Sequence, residues 1–448
     1  MKKNLALVTG ATSGIGYSTA KLLAQDGWGQ VIVTGRSQAR ADEAGSKLKT
    51  DAKTENISGI ALDLNSFASV KNTVAELVKR GVPIDFLVLN AGLIPGKERV
   101  VTGENIESSQ APLIGHHQLT LGLLAAGLLA PDARIVIAGS EAARGDVPLF
   151  RYTNLATFSE KEFGGDRVAG AEAILRGSSK VNYNANKTYA DAKMFVAWWA
   201  AVLARKLPEK MGIYVISPGS TPDTQGLRSG SFMLRHVMVP ILRLIPGMTQ
   251  TPEEAAKRYL AALNFGVEDS GKFFASPPKK MTGPLEVMRQ EHFHDLANQE
   301  ALWRAVVNVS GIGASASVSR RNPATMWDMT SFGFSHISVV EPGRLAFLSG
   351  QIATTLGSEG VPQDLASQAK LATANLGAAL KELKASAQDI VMLRVYVVDA
   401  NSEKFQQSVA PLRQLVGDAM PSITTIGVQA LYLPEIKVEI EMTVRLRD

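Results

Sequence analysis

Short apolar runs alternate with amphipathic stretches through the first half of the chain. Leu5 to Val8, Val31 to Val33 and Phe86 to Leu89 are apolar and have the length of buried strands. Helical periodicity follows, for example from Tyr17 to Gln25 and from Phe67 to Arg80. Alternation of buried strands with helices predicts an α/β fold in which a doubly wound parallel sheet is covered on both faces.

The pattern changes after a stretch rich in glycine, alanine and serine, residues 310–319, which has the composition of a linker. The strands predicted beyond it cover 333–339, 345–352, 390–398, 423–431 and 436–446, with helices over 364–385 and 402–417. This order predicts an α+β domain with its helices on one face of a sheet. We therefore divide the chain into a first domain (1–311), a linker (312–319) and a second domain (320–448).

Composition narrows the function classes. Of the 448 residues, 45% are hydrophobic and 20% are charged, as in ordinary folded proteins. The net charge of +5 is spread without long basic runs, which argues against a nucleic-acid partner. The absence of cysteine excludes disulfides and thiolate catalysis, and the six histidines show no metal-binding spacing. Without a signal peptide or an apolar stretch of membrane-spanning length, we expect a cytoplasmic protein with no membrane contact.

A glycine-rich turn follows the first strand and precedes the first helix. Glycine lets the backbone approach a pyrophosphate, and the helix start offers unpaired N–H groups and the positive end of a dipole. The turn therefore predicts a dinucleotide site. Its predicted cofactor-binding residues are Thr9, Gly10, Thr12, Ser13, Gly14, Ile15 and Gly16.

The glycine spacing Gly-x3-Gly-x-Gly, with Asn90-Ala91-Gly92 after a later strand, resembles the short-chain dehydrogenase/reductase (SDR) family. The resemblance covers about the first 311 residues and implies an NAD(P)-dependent oxidoreductase that acts on alcohol or carbonyl groups. Arg36 ends the second strand, where an NAD-preferring enzyme usually has an acid, so NADP(H) is the expected cofactor. By the same resemblance, further cofactor contacts are expected from Asp63, Leu64, Asn90, Ala91, Gly92, Pro218, Gly219, Ser220, Thr221 and Thr224.

Carbonyl reduction needs a proton donor, a hydrogen bond to the oxygen and a positive charge nearby. Ser140, after a predicted strand, is the expected hydrogen-bonding group. Two Tyr-x3-Lys patterns offer the other two groups: Tyr183 with Lys187, and Tyr189 with Lys193. On one helix, residues six apart are rotated by about 240°, so only one pair can face the site. The long helical run that follows, as in the family, favours Tyr189 as acid/base, with Lys193 lowering its pKa and binding ribose.

The chain departs from the family's pattern in two places. Pro112 stands where the family often has a proton-relay asparagine, although its carbonyl oxygen remains an acceptor. Tyr189 comes 49 positions after Ser140, and the extra residues around 150–180 predict a lid or a subunit contact. An apolar, methionine-bearing stretch, 232–245, covers the substrate in this family, which suggests an apolar substrate, but plain core is the alternative.

The second domain contains the segments Leu348-Ser349-Gly350-Gln351, Val395-Tyr396-Val397-Val398-Asp399 and Val438-Glu439-Ile440-Glu441. With these segments it resembles the Rid family (RidA/YjgF, reactive-intermediate deaminases), trimeric proteins with a chorismate-mutase-like fold that hydrolyse enamines and imines. The resemblance spans about 125 residues and implies a pocket with Ser349, Gln351 and Glu439. Ile423 stands where active members place the arginine that binds a substrate carboxylate. Isoleucine cannot do so, and we expect a structural or trimer-forming role, with Glu439 still able to act on a neutral ligand.

The leading hypothesis is NADPH-dependent reduction of a small carbonyl compound, or the reverse oxidation. The expected assembly is a homo-oligomer that combines a Rid-like trimer with SDR-like dimer or tetramer contacts. One alternative is imine or iminium reduction coupled to the handling of reactive intermediates. A second is a non-catalytic NADP-binding regulatory or assembly protein; Pro112 favours it, whereas Ser140, Tyr189 and Lys193 argue against it.

Overall fold

The computed structural model describes residues 3–221, 247–312, 318–323, 325–340, 344–354, 360–383 and 385–446. The chain forms two compact units, Met1–Gly313 and Ala314–Asp448, and each is described here by itself. Over the described ranges, no helix combines the length and apolar character needed to cross a membrane.

One eight-stranded sheet organises the first unit. Its strands are β1 (Leu5–Val8), β2 (Gln30–Gly35), β3 (Ile57–Ala61), β4 (Ile84–Leu89), β5 (Leu129–Ala138), β6 (Gly212–Ile216), β7 (Phe273–Ala275) and β8 (Glu286–Val287). The order is β3-β2-β1-β4-β5-β6-β7-β8. All neighbours are parallel except β7 and β8, which are antiparallel. The predicted doubly wound α/β fold is confirmed.

Helices cover this sheet. They are α1 (Gly14–Gln25), α2 (Gln38–Ala52), α3 (Phe67–Arg80), α4 (Ala111–Ala125), α5 (Leu155–Phe163), α6 (Arg167–Arg176), α7 (Ala185–Lys206), α8 (Pro252–Leu260), α9 (Glu291–His294) and α10 (Leu296–Ser310). Side-chain caps fix several of their starts. The Ser66 hydroxyl accepts the Ser69 N–H before α3, and left-handed Gly81 follows its last residue, so this helix has the bounds that the sequence predicts.

Strands β1 and β4 are buried along their whole length, which explains why every residue in them except Asp85 is apolar. They lie side by side where the strand order reverses direction. In open parallel sheets, ligands bind at such a switch point, beyond the carboxyl ends of the strands. The glycine turn follows β1 and Asn90 follows β4, so both reach this crevice.

The extra residues around 150–180 form α5 and α6. Ala171, Ile174 and Leu175 join the buried core of the unit. Polar contacts also tie this segment to α10, because Arg167 Nη1 donates to Asn298 Oδ1 at 3.1 Å. The segment is thus integrated into the first unit.

The second unit contains β9 (Val318–Arg321), β10 (Ile337–Val340), β11 (Leu345–Gln351), β12 (Ile390–Val398), β13 (Ser422–Val428) and β14 (Val438–Arg445), with helices α11 (Leu365–Glu382) and α12 (Ser402–Val416). The main sheet has the order β11-β14-β12-β13, and β9 pairs with β10. Leu376 and Leu412 of the helices share one buried core with Leu393 and Ile440 of the sheet. Helices on one face of a sheet are the α+β arrangement that the sequence predicts.

Two details of the second unit differ from the predicted pattern. Strand β9 includes Val318 and Ser319, which the composition assigned to the linker, because pairing with β10 engages backbone groups whatever the side chains are. The strand predicted from 333 begins only at Ile337, since Gly333 adopts a left-handed conformation (φ +82°) after a single 3-10 turn.

Candidate active site

The glycine turn is packed tightly against the residues that follow β4. Gly10 has φ +64°, and a Cβ on it would lie 2.9 Å from Ala91. A Cβ on Gly16 would lie 2.5 Å from the Gly10 carbonyl oxygen. The Asn90 amide donates to the carbonyl oxygens of Thr9 (3.0 Å) and Gly10 (3.3 Å). Only glycine fits at these two positions, and Asn90 fixes the shape of the turn.

The start of α1 suits a pyrophosphate. Ser13 is the N-cap residue, yet its side chain caps no N–H group, and the first turn has no acidic residue. Thr12 is exposed, and Gly14 and Ile15 are partly exposed. The first N–H groups of the helix and its positive dipole end therefore face a region that an anion can reach. This arrangement fits the phosphates of a dinucleotide.

Arg36 is exposed directly after β2. Within the described ranges, no hydrogen bond or ion pair engages its guanidinium, so it is available to a ligand. Arg40, one helical turn later, is also exposed. Asp63 is partly exposed and accepts the Asn65 N–H at 3.0 Å, whereas Leu64 is buried against α4.

The structure brings the three predicted catalytic side chains together. Ser140 lies close enough to the Tyr189 hydroxyl to act on its pKa, which it lowers. Ser140 also accepts the Ala142 N–H at 3.2 Å, which orients its side chain at the end of β5. Lys193 Nζ lies 5.8 Å from the centroid of the Tyr189 ring and donates to the Ala138 carbonyl oxygen at 2.8 Å. Gly92 borders Lys193, so this trio adjoins the cofactor cradle.

Burial dominates the electrostatics of the trio. It raises the pKa of the Tyr189 hydroxyl, while Ser140 acts in the opposite direction. It also lowers the pKa of Lys193 to about 8. In the protein alone, desolvation of the hydroxyl is the largest influence on the pKa of Tyr189, and the expected lowering by Lys193 and a bound nicotinamide stays a prediction.

The competing Tyr183 lies elsewhere. Helix α7 begins only at Ala185, because the Asn184 side chain caps it by accepting the Lys187 N–H. Tyr183 thus precedes the helix, and its hydroxyl donates to the Gly96 carbonyl oxygen at 2.7 Å. The expectation that both tyrosines share one helix is wrong, and it is Tyr189 that meets Ser140.

The segment after β6 contacts the chain near Met281. Gly219 has φ +76°, and the Ser220 N–H donates to the Met281 carbonyl oxygen at 2.9 Å. Pro218 and Thr221 are partly exposed. Thr224 and the apolar stretch 232–245 lie outside the described residues.

The predicted pocket of the second unit is only partly assembled. Glu439 packs directly over Gly350, and Gln351 Nε2 donates to the Ser349 carbonyl oxygen at 2.9 Å, so three of its residues are neighbours. Ile423 is not among them. It pairs with Leu393 on β12 and packs into the apolar core beneath the helices. Within one chain Ile423 thus lies on the other face of the sheet from Glu439, and its place in the pocket stays a prediction.

Comparisons with known proteins divide the chain in the same way. Residues 4–151 match the family described as short chain dehydrogenase, and residues 329–446 match the family described as Endoribonuclease L-PSP. The first unit is a short-chain dehydrogenase, and the second is a Rid domain.

Individual relatives cover each unit. A chloroplastic protochlorophyllide reductase from Chlamydomonas reinhardtii is 28% identical over 70% of this chain and 79% of its own length. A polyprenol dehydrogenase from Mus musculus is 27% identical over 70% of this chain and 85% of its own. The structure of a Rid-family protein, YyfB from Yersinia pestis, is 35% identical over 29% of this chain and 99% of its own, with a TM-score of 0.27.

Family membership defines the general activity. The short-chain dehydrogenase unit is an NAD(P)-dependent oxidoreductase of the CH–OH/carbonyl class. No group of three or more His, Cys, Asp or Glu side chains is placed to hold a metal ion in the part of the chain that the structure describes.

Sequence reasoning missed several polar residues near the trio. Asp191, two positions after Tyr189, is buried and accepts hydrogen bonds from the Thr153 N–H and, at 2.8 Å, from the Thr153 hydroxyl. Burial raises its pKa to about 6. Its one sequence signal is a charge on an otherwise apolar helix face. Glu107 and Ser109 gave no signal at all, because only the fold places them near Lys193.

Proposed function

We propose that the short-chain dehydrogenase unit reduces an apolar carbonyl compound with NADPH, or oxidises the corresponding alcohol. The observation that carries this proposal is that Ser140 and Lys193 lie around the Tyr189 side chain, next to the cofactor cradle. A regulatory protein that never performs chemistry has no physical need for this arrangement.

Each side chain has a role in the reaction. A nicotinamide cofactor, when bound, supplies or accepts the hydride. Ser140 donates a hydrogen bond to the substrate oxygen and holds it beside Tyr189. Tyr189 transfers its proton to that oxygen as the carbonyl carbon gains the hydride, so that C=O becomes CH–OH. Lys193, with its pKa lowered to about 8, exchanges protons readily near neutral pH and binds the ribose.

The cofactor preference follows from Arg36. An exposed guanidinium at the end of β2 can form two parallel hydrogen bonds with a 2′-phosphate, and Arg40 adds a second positive charge one turn away. An uncharged ribose 2′-hydroxyl would form weaker hydrogen bonds with either guanidinium than a 2′-phosphate does. We therefore propose NADP(H) in preference to NAD(H).

Apolar side chains surround the trio. Leu93 and Ile94, just after the Asn-Ala-Gly motif, are exposed, and so is Leu149. The ring of its neighbour Phe150 lies 5.8 Å from that of Tyr189. The names of two relatives, protochlorophyllide reductase and polyprenol dehydrogenase, also denote largely apolar substrates. These features support an apolar carbonyl or alcohol as the substrate.

The test is a screen of apolar aldehydes and ketones, followed by loss of NADPH absorbance, with Tyr189→Phe beside the wild type. Positioned proton transfer contributes roughly 10²–10⁴-fold, so we expect kcat to fall by about that factor while NADPH still binds. Tyr183→Phe is the matched control and should keep full activity. A Tyr189→Phe variant as active as the wild type would rule the proposal out.

Fusion to a Rid domain favours a second candidate, in which the substrate is an imine or iminium ion rather than a ketone. The same trio can protonate nitrogen as well as oxygen. Turnover of a cyclic imine is then compared with that of the matching ketone. A higher kcat/KM for the imine selects this candidate, and a higher value for the ketone rejects it.

For the Rid unit we propose assembly of a homo-oligomer rather than catalysis. Ile423 packs against the apolar core and has no group that can bind a substrate carboxylate. On β11, Phe347 is 77% exposed and Leu345 is also exposed. A partner copy that covered these side chains would remove apolar surface from water. We further propose a cytoplasmic location, for which the cysteine-free composition is the support.

A further inference from the structure

A small cavity lies against Lys193, beneath the catalytic trio. Gly92, Ser109, Pro112, His116 and Ala138 contribute to its lining together with Lys193. Its volume of about 20 Å³ is enough for one water molecule. Pro112 contributes no side-chain donor or acceptor here, so any proton that leaves or reaches Lys193 through this cavity needs another carrier.

Three lining residues have polar side chains: Lys193, Ser109 and His116. His116 is already committed, since its Nε2 shares a hydrogen bond of 2.9 Å with the Thr9 hydroxyl. Burial lowers the pKa of its imidazole to about 3, so the ring stays neutral near pH 7. Ser109 is therefore the remaining candidate for a group that exchanges protons with a water molecule beside Lys193.

Behind Ser109 lies a buried carboxylate that the mechanism has not used. Glu107 is only 1% exposed. Its Oε2 accepts both the Ser109 hydroxyl and, at 2.9 Å, the Ser109 N–H. Its Oε1 accepts the hydroxyl of Ser108 at 3.3 Å, and Ser108 is partly exposed. A continuous series of hydrogen-bonding groups thus connects the cavity wall to the surface.

We propose that Ser109 and Glu107 conduct protons between solvent and Lys193, across a water molecule in the cavity, in place of the amide that Pro112 lacks. The inference rests on the proposed function. During reduction Tyr189 gives up one proton per turnover, and Lys193 replenishes it.

The path is balanced in atoms and charge. Glu107 first takes a proton from solvent at the side that faces Ser108, and the Ser109 hydroxyl turns from Glu107 towards the cavity. Lys193 then recovers its ammonium form by taking a proton from the water molecule, the water takes one from the Ser109 hydroxyl, and Ser109 takes the proton of the Glu107 carboxyl group, which becomes a carboxylate again. One proton is consumed per turnover, and no electrons move along this path. Oxidation of an alcohol runs the same steps in reverse.

A purely structural role is the competing explanation, because Glu107 also accepts a backbone N–H just before α4. Two variants of the full chain separate the explanations. Glu107→Gln keeps a side-chain oxygen for the Ser109 N–H but cannot release and regain a proton as the acid does. Ser109→Ala keeps the backbone bond to Glu107 and removes only the hydroxyl. Glu104→Gln is the matched control, since that carboxylate accepts the Phe67 N–H at 3.1 Å and does not line the cavity.

The assay is rapid mixing of enzyme with NADPH and the best carbonyl substrate from the screen, in H₂O and in D₂O. In both relay variants we expect a first turnover at the wild-type rate, because Tyr189 starts protonated. Steady-state kcat should then be about tenfold lower or more, since positioned proton transfer contributes roughly 10²–10⁴-fold. The solvent isotope effect on kcat should rise, while KM and the NADPH dissociation constant stay unchanged. The double variant should be no slower than the slower single variant.

Two results would overturn the proposal. The first is that Ser109→Ala and Glu107→Gln show the same kcat and the same solvent isotope effect as the control variant Glu104→Gln. The other is a first turnover slowed as much as the steady state, which is what a distorted site would produce. Tyr189→Phe separates the proposed reductase function from the proposed proton path. If this variant is inactive while the Ser109 and Glu107 variants behave like the control, only the proton path is excluded. If Tyr189→Phe is active, the proposed function fails as well.

Discussion

Acidification should destabilise this protein through a buried histidine that sequence alone would not single out. His117 in α4 is fully buried, with Nε2 donating to the Ile312 carbonyl oxygen at 2.6 Å and Nδ1 accepting the Trp199 indole N–H at 3.0 Å. These partners need a neutral ring, because a protonated Nδ1 can no longer accept. Burial accordingly lowers the pKa of His117 from 6.5 to about 4.

The direction and size of the effect follow from proton linkage. The unfolded chain binds a proton at this position below about pH 6.5, whereas the folded chain resists until about pH 4. The neutral His117 ring therefore makes its full contribution to the free energy of unfolding above pH 6.5, and this contribution is lost as the pH falls towards 4. One unit of pKa difference corresponds to about 1.4 kcal/mol, so the loss at pH 4.5 is roughly 2–3 kcal/mol. A domain is stable by only about 5–15 kcal/mol, so this is a large share.

The assay is urea unfolding at pH 7 and pH 4.5, followed by tryptophan fluorescence, for the wild type and His117→Gln. Trp199 and Trp303 both contact the imidazole, and four of the five tryptophans belong to the first unit, so most of the signal comes from that unit. We expect the variant to be less stable at pH 7 but to lose roughly 2–3 kcal/mol less than the wild type on acidification. Asp191, whose raised pKa acts in the opposite direction, is present in both proteins and cancels.

His294→Gln is the control, since that side chain is exposed. Its loss of stability between the two pH values should equal that of the wild type. Equal losses in the wild type and His117→Gln would refute the linkage argument, because the buried ring would then not be the group that resists protonation.

Three further predictions test the cradle, the cofactor preference and the assembly. Gly16→Ala puts a methyl group against the Gly10 carbonyl oxygen, and overpacking of this kind costs about 1–3 kcal/mol. The NADPH affinity measured by titration should therefore fall roughly 5- to 150-fold. Gly45→Ala is the control: a Cβ there makes only ordinary contacts, so the NADPH affinity should not change. Arg36→Ala should raise the dissociation constant for NADPH roughly 10- to 100-fold and leave that for NADH within about twofold, and an equal loss for both would contradict the 2′-phosphate role. Phe347→Glu should lower the mass measured by light scattering, and an unchanged mass would exclude β11 from the interface.

Much of the first unit could be predicted because its signals are local. A buried strand, a glycine turn and a helix follow one another between Leu5 and Gln25, and each has its own pattern of side chains. The same holds for α3, whose cap at Ser66 and terminal Gly81 stand next to the helix that they bound. The α+β assignment of the second unit also rested on local patterns, namely the order of its predicted strands and helices.

The features that the sequence could not supply depend on contacts between distant residues. The orientation of Ile423 depends on which face of β13 meets the helices, and that is set by pairing with β12. The raised pKa of Tyr189 depends on how deeply several segments bury it. Neither burial nor pairing is encoded at a fixed spacing in the chain.

The sequence by itself determined the class of this protein: a dinucleotide-binding α/β unit with Ser, Tyr and Lys, joined to a Rid domain without its arginine. Only the tertiary structure decided that Tyr189 rather than Tyr183 meets Ser140, and that Glu107 and Ser109 stand behind Lys193 where Pro112 leaves a gap in polar side chains. The physical reason is that strand and helix patterns arise from neighbouring residues. A proton path and a pKa arise instead from groups that the fold gathers from far along the chain.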